Sequence, residues 1–228
     1  MKKVAILQSN YIPWKGYFDL IAAVDEFIIY DEMQYTKNDW RNRNKIKTRN
    51  GVEWLTIPVR VESLSQRIDE TEVFADNWAV KHIKTLQQNY AKANAFNDTK
   101  DFIFGLYEQA GKTKSLSEIN FIFINGICRL LDIQTKLTFS TDYGLIDGKT
   151  ERLVDLCQKA GATNYLSGPS AKDYLEQDLF NDAGIAVEWM AYSGYQEYNQ
   201  LFPPFEHGVS IFDLIFNEGT NARQYMKF

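Results

Sequence analysis

Two short apolar runs, separated by a loop and a helix-length segment, constrain this chain most. Lys3-Val4-Ala5-Ile6-Leu7-Gln8 and Glu26-Phe27-Ile28-Ile29-Tyr30-Asp31 are apolar at consecutive positions rather than alternate ones. That is the pattern of strands covered on both faces, and such strands belong to parallel sheets. Between them Pro13 punctuates a loop, and Tyr17, Leu20, Ile21 and Val24 recur at helical spacing. Strand, loop, helix and strand within about thirty residues make a βαβ unit. Its crossover is right-handed, so the two runs lie parallel in one sheet.

The remainder extends this pattern. The segment from Asp31 to Asn50 is polar and charged, and Trp54 to Val59 reads as a strand that Pro58 confines to an edge or an end. Ile68 to Phe74 reads as another short strand. From Asn77 the character turns helical: one helix capped by Asn77 and running to about Lys92, a second around Leu106, and a third from Ser117 through Leu131. No linker flanks this block, so it is expected to be a helical lobe at about 77–132 within one domain spanning 1–228. Thr135 to Ser140 returns to strand pattern. Thr150 opens a helix with Leu153, Val154, Cys157 and Ala160 on one face, which Gly161 stops. Asn164 to Leu166 reads as a strand, Ser167-Gly168-Pro169-Ser170 as a tight loop with Ser170 capping a short helix, Ile185 to Met190 as the last strand, and Val209 to Phe216 as the last helix. The expected fold is α/β with a mainly parallel sheet, a Rossmann-like βαβ start and a helical insert. In such sheets ligands sit beyond the carboxyl ends of the strands, where the loops after Gln8, Asp31 and Leu166 converge.

Composition narrows the function classes. The net charge is −5, which disfavours a broad nucleic-acid surface and still allows a local basic cluster for a small anion. Only two cysteines occur, Cys128 and Cys157, both in apolar helical surroundings, so neither a disulfide framework nor a zinc site is expected. Metal-ligand spacing is absent. The N-terminal apolar run is short and has no small-residue cleavage site, and no stretch has the length of a membrane span, which together lead to an expected cytoplasmic location.

Three stretches carry candidate chemistry. In Asn10-Tyr11-Ile12-Pro13-Trp14-Lys15-Gly16-Tyr17, Gly16 falls at a helix start, where free N–H groups suit a phosphate or carboxylate. Lys15 adds a cation, while Tyr11, Trp14 and Tyr17 offer flat faces for a base or sugar. The alternative is that this loop simply folds its aromatic residues onto the core. In Trp40-Arg41-Asn42-Arg43-Asn44-Lys45, the guanidinium groups of Arg41 and Arg43 share one side of an extended chain and suit a pyrophosphate; a solvated basic hairpin is the alternative. In Tyr165-Leu166-Ser167-Gly168, Gly168 permits close backbone approach and Ser167 supplies a hydroxyl, unless the stretch is only a strand-to-helix connection. His82 lies in an amphipathic helix as a structural or solvent-facing residue, and His207 lies in a loop.

Read together, Ile6-Leu7-Gln8-Ser9-Asn10-Tyr11-Ile12-Pro13-Trp14-Lys15-Gly16-Tyr17-Phe18 resembles the opening signature of the WbqC-like family. Asp31 through Gln34, Trp40-Arg41-Asn42-Arg43, Trp54-Leu55-Thr56-Ile57-Pro58-Val59, Tyr165-Leu166-Ser167-Gly168 and Ser210-Ile211-Phe212-Asp213-Leu214 follow in family order. Ser9 departs from the pattern, where Pro is more usual. The resemblance implies a role in bacterial O-antigen and lipopolysaccharide biosynthesis, as a transferase that joins glycine or another acyl group to the amine of a nucleotide-linked amino sugar. With it the expected substrate-binding set is Gln8, Asn10, Tyr11, Trp14, Gly16, Tyr17, Gln34, Arg41, Asn42, Arg43, Ser167 and Gly168, and the expected catalytic groups are Asp31, a base at the end of a buried strand on the ligand edge, and Lys15. The partners expected are a nucleotide-linked amino sugar and a small amino-acid or acyl donor. A non-catalytic nucleotide-sugar-binding module, or an assembly partner in the same pathway, is the alternative. The start of the chain is also similar to the nucleotidyltransferase and pantothenate-synthetase-like group. There a His-x-Gly-His signature contacts ATP, whereas Trp14-Lys15-Gly16-Tyr17 lacks both histidines, which counts against ATP as a cofactor. No other cofactor and no oligomeric state follow from the residues.

Overall fold

The computed structural model describes residues 1–228. The first crossover is β1 (Lys3–Leu7), α1 (Lys15–Ala22) and β2 (Glu26–Ile29). A hairpin of β3 (Arg43–Thr48) and β4 (Gly51–Thr56) follows, then a two-residue pair, β5 (Val59–Arg60) and β6 (Glu72–Val73). Three helices come next: α2 (Trp78–Tyr90), α3 (Phe96–Ala110) and α4 (Leu116–Leu130). The chain then returns to the sheet with β7 (Lys136–Phe139), α5 (Thr150–Lys159), β8 (Asn164–Ser167), α6 (Gln177–Asp182) and β9 (Ala186–Trp189), and ends with α7 (Ile211–Glu218).

β1, β2, β7, β8 and β9 form one all-parallel sheet in the spatial order β7-β2-β1-β8-β9. The fold class is therefore α/β, as the two apolar runs require. Both faces of the sheet are covered, which explains the absence of alternation. Ala5, Phe27 and Ile29 point into a 42-residue cluster shared with α1, α7 and the three helices α2–α4. Val4, Ile6, Ile28 and Tyr30 point the other way, into a 12-residue cluster with Val154, Cys157 and Phe180. Strand order reverses between β1 and β8, and that reversal opens a crevice at their carboxyl ends.

Some local expectations change. The polar stretch after Asp31 contains a full strand, because Arg43 to Thr48 pairs antiparallel with Gly51 to Thr56. The strand expected over Ile68 to Phe74 shrinks to Glu72–Val73. Pro169–Asp173 forms a 3-10 turn in place of a capped helix. The last helix begins at Ile211, where the Ser210 Oγ accepts the Phe212 N–H at 3.3 Å. Residues 190–210 carry neither helix nor strand. They run across α1, tied by the Tyr195 hydroxyl on Asp19 and by the Lys15 ammonium on the Gln196 carbonyl at 3.3 Å. No helix is long and apolar enough to cross a membrane.

Candidate functional site

Parallel strands end together at one edge, and here that edge carries a cavity of about 330 Å³. Gln8 reaches it from the end of β1, Tyr30 and Met33 from beyond β2, and Tyr165 and Ser167 from β8. The start of α5 closes it with Gly148, Lys149, Thr150 and Arg152. Arg152 is held in place: its Nε donates to the Ile146 carbonyl at 2.6 Å and its Nη1 to the Tyr30 hydroxyl at 3.2 Å. Lys149 is exposed beside it. Burial raises the pKa of the Tyr30 phenol, opposed by the neighbouring Arg152 charge. Burial likewise raises that of Tyr165, so both phenols stay neutral. The N-cap residue of α5, Lys149, makes no side-chain cap; its own N–H donates to the Glu151 carboxylate at 3.1 Å, and Arg152 Nη2 stands 4.0 Å from Asp147. This switch-point hollow combines an aromatic and aliphatic wall with a basic rim.

A second cavity, of about 360 Å³, lies on the other side of the first loop. Its lining is Asn10, Pro13, Trp14, Trp40, Asn44 and Gly208, with no charged side chain. Trp14 is seated on Gly16, where a Cβ would come within 2.4 Å of the indole. Its edges meet the rings of Tyr192 and Tyr195 at centroid distances of 5.3 and 5.6 Å. Trp40 is 41% exposed and leans on Trp54 at 5.3 Å. Asn44 forms a fixed floor, its Nδ2 donating to the Tyr11 and Ile12 carbonyls at 3.1 Å each.

Arg41 joins the two cavities. Its Nη2 donates to Gln8 Oε1 at 3.0 Å and its Nη1 to Asn10 Oδ1. Gln8 lines the first hollow and Asn10 the second, so one guanidinium grips a residue of each wall. Asp39 stands 3.8 Å from it as a partial counter-charge.

The other residues singled out in the sequence fall in different places. Tyr11 has no exposed surface; its hydroxyl meets Tyr107 at 2.6 Å and His82 Nδ1 at 2.8 Å, so it presents no face to a ligand. Tyr17 is also buried, and its hydroxyl donates to the Gln8 carbonyl at 3.0 Å. Gly16 seats Trp14 and does not offer its own N–H to solvent. Lys15 turns away from both hollows, over the rings of Tyr195 at 4.7 Å and Tyr198 at 5.4 Å. Burial lowers its pKa to about 8, with Asp19 opposing. Asp31 is 2% exposed and fully engaged: one oxygen accepts the Ser9 N–H at 2.8 Å and the other the Ser117 hydroxyl. Burial raises its pKa against those hydrogen bonds. It is a fastening group, and neither cavity includes it. Arg43 lays its guanidinium on Trp54 at 4.0 Å and does not share a hollow with Arg41. Asn42 is buried and donates to the Ile57 carbonyl at 2.8 Å. Gln34 is exposed and donates to the Leu64 carbonyl at 2.5 Å. Ser167 lines the switch-point hollow and Gly168 lies just outside it.

Lys149 and Arg152 lie outside every stretch expected to carry the site, and Trp40 and Asn44 entered only as members of the basic stretch, with no role of their own. A signal for Lys149 exists: Gly148-Lys149-Thr150 stands between a strand and a helix, where phosphate-binding loops carry the same triplet. The longer glycine spacing of that motif is missing, so the triplet alone is weak.

A doubly wound parallel sheet, with one hollow at its switch point and another beside it, defines an α/β protein whose candidate site lies at the carboxyl edge of the sheet. The sequence model of the WbqC-like protein family matches residues 8–225, and the chain belongs to that family. It is 52% identical over 229 residues to an uncharacterized protein of Mycobacterium tuberculosis, Rv1507c, covering 100% of this chain and 99% of the relative. No solved structure matches the chain.

Proposed function

We propose that this protein binds a nucleotide-linked amino sugar in the switch-point hollow and joins glycine or another acyl group to the sugar amine, the acyl group coming from an activated donor whose carrier leaves as the amine gives up a proton. The observation that carries this reading is that Lys149 and Arg152, at the start of α5, line one hollow with Tyr30 and Tyr165. A pyrophosphate needs the cations, and a base needs the rings. Arg41, held at the rim by Gln8, is placed to meet charge that projects from the hollow. Binding energy of this kind serves an acyl transfer by fixing the amine against its partner and stabilising the oxyanion that forms. The surface-polysaccharide role implied by the resemblance to the WbqC-like family is consistent with a sugar as substrate.

A second reading is a nucleotide-sugar-binding module without turnover. It draws on Asp31, whose two oxygens are both committed to Ser9 and Ser117 and leave no free strand-end carboxylate to take a proton. One experiment separates the two readings. The protein is incubated with a dTDP-linked amino sugar, glycine and ATP, and the sugar is weighed by mass spectrometry. A glycyl mass gain supports the enzyme; tight calorimetric binding without product supports the module; no binding of the nucleotide sugar removes both.

A further inference from the structure

The geometry points to a second binding site: the uncharged hollow between Trp14 and Trp40 takes a pyranose ring. Its lining carries two indoles, two amides and no ionic group. A hexose has the complementary surface. Its axial C–H bonds lie flat against the electron-rich face of an indole, while its hydroxyls reach sideways to amides. No cationic side chain belongs to this lining, with Arg41 behind Asn10 and the Lys45 ammonium 5.8 Å from the Trp40 ring centre, and an aliphatic chain would leave the Asn10 Nδ2 without a partner.

The two indoles are fixed before any ligand arrives. Trp14 rests on the bare backbone of Gly16 and is flanked by Tyr192 and Tyr195. Trp40 leans on Trp54, which Arg43 covers from its own side. Asn44 is committed to the Tyr11 and Ile12 carbonyls, so the floor does not move. Asn10 has its Oδ1 taken by Arg41, and the amide's Nδ2 is the end left for a hydroxyl or ring oxygen. A rigid aromatic slot with one oriented amide loses little entropy when it closes on a ring.

The position adds meaning, and this part rests on the proposed function. Gln8 and Asn10 are two residues apart, so the two hollows approach within about 7 Å along that segment. A nucleotide in the switch-point hollow directs its terminal sugar past Arg41 toward Trp14 and Trp40. The guanidinium then meets the pyrophosphate at the boundary between the two.

The test reads the indole N–H signals of the five tryptophans by NMR, with Trp14 and Trp40 identified through W14F and W40F. Methyl hexopyranosides and methyl aminohexosides, thymidine, dTDP and dTDP-glucose are titrated separately. The expected result is that the methyl glycosides and dTDP-glucose shift Trp14 and Trp40, while thymidine and dTDP do not. Trp40→Ala should then weaken dTDP-glucose about tenfold more than dTDP, the scale of one aromatic contact. Two results overturn the proposal: thymidine shifting these indoles where glycosides do not, or no glycoside moving either signal. If glycosides shift both indoles and dTDP binds nowhere, the pyranose site stands and the nucleotide reading of the other hollow falls.

Discussion

The two hollows have opposite origins. The switch-point hollow is made by topology: β1 and β8 part company in strand order, and any chain with this sheet has a crevice there. Its chemistry comes from the start of α5, which supplies Lys149 and Arg152. The indole hollow is made by a contact between the first loop and the β3–β4 hairpin, which the sheet does not require. Asn44 and Gly16 are what build it, one by holding the loop's carbonyls and the other by giving Trp14 a place to lie. A fold can provide the first kind of site by default, whereas the second depends on a few side chains and is correspondingly easier to abolish alone.

The largest expected effect exploits that dependence. The loop beneath the indole hollow is anchored through Tyr11 on His82, and the switch-point hollow has no such tie. Burial, opposed by the Thr56 carbonyl, lowers the His82 pKa from its usual 6.5 to about 4. Between those values the unfolded chain takes up a proton that the folded one refuses, so stability falls as pH drops from 6.5 to 4. The loss is about 3 kcal/mol at the lower end. His82→Gln cannot titrate, so denaturant melts of the two proteins should diverge over this window. Parallel profiles would show that the anchor does not titrate as described.

Next in size is Arg152→Ala, which removes a fixed cation from one hollow only. Calorimetry should show dTDP binding weakened roughly tenfold to a hundredfold, the range of a charged hydrogen bond. Equal affinity would erase the distinction between a basic and an uncharged hollow. Gly16→Ala acts on the other side. The added methyl displaces Trp14 at a cost of about 1–3 kcal/mol, read as a lower midpoint in thermal unfolding, with the Trp14 indole signal moved and dTDP binding kept. Arg41→Lys is the mildest, at about 1 kcal/mol of stability, because an ammonium cannot form the guanidinium's planar fork to Gln8 and Asn10. It should lower affinity for dTDP-glucose and dTDP by similar factors and leave a methyl glycoside unchanged, since the first two share the pyrophosphate that the guanidinium meets. A weakened methyl glycoside with dTDP unchanged would assign Arg41 to the indole hollow instead.

The sheet was readable from residues because its signal is local. Runs such as Val4 to Leu7 and Phe27 to Ile29 state their own double burial, and Gly161 ends α5 where its apolar face stops. The site was less readable because its partners are remote. Tyr11 looks exposed in a turn next to Pro13, yet His82 and Tyr107, 71 and 96 residues away, make it core. Arg41 and Arg43 look equivalent by spacing. Only the hairpin register, with Arg43 opposite Thr56 and Lys45 opposite Trp54, puts one of them on an indole. Lys149 and Arg152 look like ordinary helix-surface charges until the order β7-β2-β1-β8-β9 brings the start of α5 to the end of β1.

The long segment across α1 bears on the order in which the molecule can assemble. Lys15 and Asp19 lie early in the chain, but the groups that receive them, the Gln196 carbonyl and the Tyr195 hydroxyl, are 181 and 176 residues downstream. β1 likewise waits for β8 before its second edge is paired. Such distant closures are slow, and during synthesis the first βαβ unit emerges with both outer edges open, β2 awaiting β7 and β1 awaiting β8, and a lysine awaiting its cover. The amino-terminal third is thus the first made and among the last completed, which predicts that chains shortened before Tyr195 leave this early region without its seal.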